Sequence, residues 1–171
     1  MAQDIFNANH IVAESTNILS TNFGGGHIYS IVIDEDMDNG LLVARAEYAA
    51  DEYEDEVWMA KDYAAGDEAL LLLNPPLLPM TELRGYNTED KFYNAAGDRV
   101  RAYTLRVGDR ITLSENAFDK APAEKQYVTF DAASKQYVVS DAKTEGEFCA
   151  QVLTKIYRTN MMMYKIQVVS L

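Results

Sequence analysis

Two turn signals, set one short strand apart, constrain this chain more than any other feature. Within residues 92–118, Asn94-Ala95-Ala96-Gly97-Asp98 and then Val107-Gly108-Asp109 collect the residue types that tolerate positive φ or bond their own backbone. Short runs of strand formers lie around them, such as Val100 to Thr104 and Ile111 to Leu113. Turns recurring every roughly 8–12 residues argue for a β-meander or barrel and against a helical bundle. No catalytic motif lies in this stretch.

The rest of the chain repeats the pattern. Residues 27–34 are rich in β-branched and aromatic side chains, and 41–48 reads as a return strand. Asp38-Asn39-Gly40 between them predicts a hairpin, because Asn-Gly accepts both positive φ angles of a type I′ turn. Val57 to Ala60 is a short strand with the sole tryptophan, and Ala69 to Leu73 is a short buried run. Pro75, Pro76 and Pro79 then force an extended crossing. Tyr127 to Phe130 and Tyr137 to Val139 flank a loop and predict a second hairpin. The closing segment alternates most cleanly. Phe148, Ala150, Val152, Thr154 and Ile156 share one face by period two, with Gln151 and Lys155 on the other, and Tyr164, Ile166 and Val168 repeat the pattern. Burying one such face contributes roughly 6–12 kcal/mol before entropy. Helix signals are confined to residues 115–125 and the first twenty or so.

Residues 1–26 differ. Apolar pairs at Ile5-Phe6, Ile11-Val12 and Ile18-Leu19 are interspersed with asparagines and fit neither a helix face nor strand alternation. Gly24-Gly25-Gly26 closes the segment with a flexible joint. The reading is an extended arm that needs a neighbouring surface, or else a first strand on the same domain. The expected fold is therefore mainly β: antiparallel hairpins forming a barrel or sandwich, an extended N-terminal arm over 1–26, and little helix. Residues 27–171 form the β domain, as one body or as two lobes over 27–80 and 86–171.

The 171 residues are 48% hydrophobic, enough for a sizeable core. The net charge of −12 opposes binding to nucleic-acid phosphates. Arg99, Arg101, Arg106 and Arg110, with Tyr103 among them, form a basic stripe, but cross-strand pairing with carboxylates is the better account of it. The first residues lack a basic start and apolar core, so a signal peptide is not expected, and the run 69–73 is far short of the ~20 residues that span a bilayer. Synthesis in the cytoplasm and no membrane partner are the expectation.

No candidate chemistry survives its own requirements. A calcium loop starting at Asp34 needs glycine sixth and glutamate twelfth, where this chain has Asn39 and Arg45. Cys149 with His10 or His27 needs an electropositive setting, which a strongly acidic chain opposes, and one cysteine with two scattered histidines does not make a zinc site. Gly24-Gly25-Gly26 has no following lysine-serine for phosphate, and Ser114-Glu115 lacks a nucleophile elbow. Neither an enzyme nor a cofactor is expected.

The succession Gly26-His27-Ile28-Tyr29, Asp38-Asn39-Gly40, Glu56-Val57-Trp58, residues 71–76, Phe92 to Gly97, Arg101-Ala102-Tyr103 and Gly108-Asp109 resembles small head decoration, or cement, proteins of tailed bacteriophages. The likeness continues through Phe118, Tyr127-Val128 and the closing segment, and leaves residues 1–25 uncovered. It implies a non-enzymatic virion protein on the outer surface of the capsid, bridging major capsid protein subunits and allowing self-association on the lattice. The arm would then lie on a neighbour through Ile5, Phe6, Ile11, Val12, Ile18, Leu19 and Phe23. A tail or head–tail connector component, and a small carbohydrate-binding β domain using Trp58 and exposed tyrosines, are the alternatives.

Overall fold

The computed structural model describes residues 9–21, 27–49, 56–76, 89–158 and 161–171. The chain is mainly β, with antiparallel sheets and a closed five-stranded barrel. Among the described residues, helix is limited to 3₁₀ turns at Leu19–Thr21, Glu89–Lys91 and Glu115–Ala117. The strands are β1 (Ala13–Asn17), β2 (Ile28–Val32), β3 (Leu42–Tyr48), β4 (Trp58–Asp62), β5 (Leu70–Leu72), β6 (Arg99–Thr104), β7 (Arg110–Ser114), β8 (Tyr127–Asp131), β9 (Gln136–Ser140), β10 (Cys149–Arg158) and β11 (Met161–Ser170).

The barrel runs β2-β4-β3-β5-β6 and closes on itself; the remaining strands form a sheet in the order β1-β7-β11-β10-β8-β9. The chain passes from barrel to sheet between Thr104 and Arg110, so the division lies there and not at the 80–86 crossing. The turn signal at Gly108 marks it: Gly108 sits at φ +100°, and the Asp109 carboxylate accepts the Arg106 amide at 2.8 Å. Both sheets feed one core, with Ile31, Leu71 and Val100 from the barrel and Ile111, Tyr137, Phe148 and Ile166 from the sheet. Tyr63 spans them. Its ring lies 6.5 Å from Phe130, and its hydroxyl oxygen accepts the Phe148 amide at 2.8 Å.

The β8–β9 and β10–β11 hairpins form as their alternation predicts. The hairpin expected around Asp38-Asn39-Gly40 does not. β2 pairs with β6 and, in parallel, with β4, while β3 pairs with β4 and β5. The turn instead works as a junction. The Asn39 side chain donates to the Asn74 carbonyl at 2.8 Å and accepts the Asn74 amide at 2.9 Å. The Asn94 side chain donates to the Met37 carbonyl at 3.0 Å and to Asn39 Oδ1 at 3.2 Å. Asn39 and Asn94 are buried, and this mutual bonding is what makes their burial tolerable.

The expected face of β10 also needs correction. Val152 pairs with Ile166 and Thr154 with Lys165, so Leu153 is an extra residue, a bulge. Beyond it the strand is turned over, and Thr154 and Ile156 leave the face that holds Ala150 and Val152.

The expected arm is extended where it is described, but it lies on its own chain. β1 pairs antiparallel with β7, from Ala13 opposite Leu113 to Asn17 opposite Arg110. Ile11, Val12 and Ile18 are buried in this chain's own core and do not wait for a neighbour. The reason lies in side chains that distant parts of the chain bring to it. Ser114 Oγ accepts the Val12 amide at 2.8 Å, Asp38 Oδ2 accepts the Ile11 amide at 2.9 Å, and Asp109 Oδ1 accepts the Leu19 amide at 2.8 Å. Of the seven residues assigned to partner contact, Leu19 alone is exposed among those described; Ile5, Phe6 and Phe23 lie outside the described residues.

Candidate functional site

A sheet whose edge strand is left open offers a row of unpaired backbone groups to another chain. Among the described residues β1 is such an edge, paired on one side with β7. The opposite edge of the sheet is not equivalent. On β9 the Tyr137 carbonyl accepts the Asp119 amide at 3.0 Å, and the Val139 amide donates to the Asp119 carboxylate at 2.9 Å, so residues 118–119 cover it. A second stretch, on β10, is also open among the described residues. That strand pairs with β8 over Cys149–Gln151, and Val152 exchanges bonds with Gln126 and Lys125 at 2.8 Å each. Residues 153–158 go on beyond β8, with Leu153 and Tyr157 exposed. Among the described residues, the outer half of the sheet, β1-β7-β11-β10, is thus bounded on both sides by open strand.

Of the three clefts lined by β1 residues among those described, two are large. The larger, about 1130 Å³, has Phe118 and Met161 to Met163 among its apolar lining. Its charged lining is mainly acidic: Glu14, Glu89, Asp90, Glu115 and Asp119. Against these stand Lys120 and Arg158, and Arg158 Nη1 is 2.6 Å from Glu14 Oε1. The smaller groove, about 410 Å³, runs beside residues 11–15, with residues 73–76 and Tyr103 on its other side. Val12, Glu14 and Glu89 line both.

His10 stands at the end of β1 where the larger cleft begins. Its Nδ1 is 2.7 Å from Asp38 Oδ1, its ring stacks on Tyr93 at 5.1 Å, and its Nε2 is buried with no hydrogen-bond partner among the described residues. The pair joins the N-terminal segment to the barrel turn. Ser114 shares the cleft, but its hydroxyl accepts the Val12 amide and donates to Asn116 Oδ1, which makes it a splice between strands.

The other residues singled out in the sequence are kept apart by the fold. Cys149 is fully buried, and burial pushes its thiol up, away from thiolate. The histidines are engaged elsewhere, His10 with Asp38 and His27 with Arg106 Nη2 at 3.3 Å. Asp36 accepts the Ala96 amide at 2.9 Å, and Asp38 holds His10 and Ile11. Among the described residues no group of three or more His, Cys, Asp or Glu could hold a metal ion. The arginine stripe is divided, with Arg99 and Arg101 on the barrel strand β6 and Arg110 on β7. The Arg45 guanidinium lies over both Tyr29, at 4.2 Å, and Trp58, at 4.9 Å, while Tyr48 meets Trp58 edge-on. A stacking face of Trp58 is therefore already occupied.

Of the two readings the sequence left open for this segment, the structure bears out the first strand on the same domain and not the arm on a neighbour. The signal was present in Ile11 to Thr16, where β-branched residues surround Glu14 at strand spacing. The chain matches no family model, no curated protein and no solved structure.

Proposed function

We propose that this protein is a decoration protein of a tailed-phage head, binding the outer surface of the assembled shell and bridging neighbouring major capsid subunits. The observation that carries the reading is the outer half of the six-stranded sheet, open at β1 on one side and at residues 153–158 on the other. A bridging protein needs two separate docking edges on one stiff body. Here they sit on a single continuous sheet whose core is shared with a closed barrel. The resemblance of the turn and strand succession to head decoration proteins supplies the class of partner. The net charge of −12 repels packaged DNA and suits an outer face. A protein that binds only the expanded lattice stabilises it by mass action, and many symmetric copies add avidity.

The test is co-sedimentation of the purified protein with tail-less mature heads, emptied heads and isolated tails. Saturable binding to heads, with a raised temperature of head disruption, is the expected outcome. Binding to tails alone would move the protein to the tail, and binding to none of the three would end the reading.

A further inference from the structure

We propose that the open edge of β1 takes an extended, lysine- or arginine-bearing segment of the partner protein as an added strand. The inference deepens the docking role proposed above and rests on it for the existence of that partner.

The backbone of β1 presents alternate residues to the two sides. The Ser114 amide donates to the Val12 carbonyl at 2.9 Å, so Val12 faces β7. In an antiparallel ladder every second residue does so, which places Glu14, opposite Thr112, on the same side. Ala13 and Ser15 therefore turn their amides and carbonyls away from β7. Both line the smaller groove. Natural edge strands are commonly blunted by lysine, proline or a covering segment. β1 reads Ala-Glu-Ser-Thr-Asn, with neither lysine nor proline, and its irregularity lies beyond Ser15, so Ala13 and Ser15 stay presentable, whereas β9 is covered by Asp119.

The chemistry of the occupant follows from the charge. Glu14 is matched by Arg158 and Asp90 by Lys91 at 3.8 Å, while Glu115 and Asp119 hold neutral partners; with Glu89, and against Lys120 as the single further cation of its described lining, the larger cleft keeps an acidic balance. Phe118 and the methionines offer apolar surface on which the aliphatic stems of lysine or arginine lie while their heads reach the carboxylates. A strand added at Ala13 and Ser15 runs on into that cleft, because Val12 and Glu14 line both spaces. A second copy of this chain is the poorer occupant. It would bring the same carboxylates face to face, which opposes strand pairing. Strand addition takes affinity from main-chain bonds and specificity from alternate side chains, so a basic, alternating segment fits both features.

The probe is a labelled synthetic peptide alternating valine with lysine, and its control alternates valine with glutamate. Fluorescence anisotropy with the full-length protein should show binding of the lysine peptide and not of the glutamate peptide. Ser15→Pro removes one outward amide without touching the β7 ladder and should weaken binding at least about tenfold. Glu89→Gln and Glu115→Gln should each weaken it roughly two- to fivefold, and less at high salt. Because Ser15→Pro could unfold the strand, amide hydrogen exchange on the wild-type protein gives a second readout: the peptide should protect Ala13 and Ser15. Equal binding of the two peptides, wild-type affinity in Ser15→Pro, or protection only at other strands overturns the inference. Self-association through β1, seen as a concentration-dependent mass that Ser15→Pro abolishes, overturns it in favour of a second copy. These outcomes do not depend on phage shells, so failure to coat heads would refute the capsid reading while the peptide result still decides the edge.

Discussion

Gly40 is where sequence, strain and packing meet most tightly. It sits at φ +89°, and a Cβ placed there would lie 2.7 Å from Leu113 Cδ2 and 2.8 Å from Ala13 Cβ. The backbone of the barrel turn thus touches the sheet directly, which explains why an Asn-Gly pair is spent here without making a hairpin. Gly40→Ala adds a positive-φ penalty to overpacking and should cost about 2–5 kcal/mol, read as a lowered denaturant midpoint at unchanged slope. A loss under 1 kcal/mol would mean that the two sheets separate easily at this point. The Gly40 carbonyl also accepts the Tyr137 hydroxyl at 2.6 Å, at the centre of a ring cluster with Phe118, Phe130 and Phe148 at 5.8, 5.2 and 5.8 Å. Tyr137→Phe keeps the packing and strands one buried carbonyl, for an expected loss of about 1–3 kcal/mol. The same measurement on Tyr157→Phe, whose ring is exposed, should show almost none.

At the scale of elements, β1 decides between an arm and an edge strand. Deleting the chain through Thr21 removes Ile11, Val12 and Ile18 from the core and exposes Ile111 and Leu113. At about 1.5–3 kcal/mol for each buried aliphatic side chain, the loss takes most of the stability a domain of this size has. The truncated protein should therefore melt far lower or fail to fold, whereas a true arm would leave the melting temperature unchanged. Circular dichroism melts of the two lengths give the answer. This contrast also shows what a sequence of this kind makes legible. The β8–β9 and β10–β11 hairpins could be read because alternation and a nearby turn are local signals. The β2–β4 parallel pair joins strands separated by β3, and no residue between them announces it. The bulge at Leu153 was hidden because a leucine inside an apolar run looks like one more member of it. The choice between arm and first strand stayed open for β1 because the bonds that fix it come from Asp38, Asp109 and Ser114, far along the chain.

At the scale of the whole molecule, three buried tyrosines set a response to high pH. Burial pushes the phenols of Tyr63 and Tyr137 above their ordinary range, and burial with the Glu115 carboxylate beside it does the same for Tyr164. In the unfolded chain all three release their protons near pH 10. Above that pH the unfolded state binds fewer protons than the native state, so stability falls as pH rises; below about pH 9 these groups contribute no pH dependence. Because Tyr63 and Tyr137 sit where barrel meets sheet, ionising either one means opening that junction. Tyrosinate absorbance of the native protein should accordingly rise in two steps. The first is gradual and does not involve the three buried rings. The second is cooperative and coincides with loss of the β-sheet dichroism. Tyr137→Phe should remove part of the second step and leave the first unchanged. A single gradual titration with the dichroism intact would mean that barrel and sheet part without unfolding, and the stiff two-edged body on which the bridging role depends would then be lost with them.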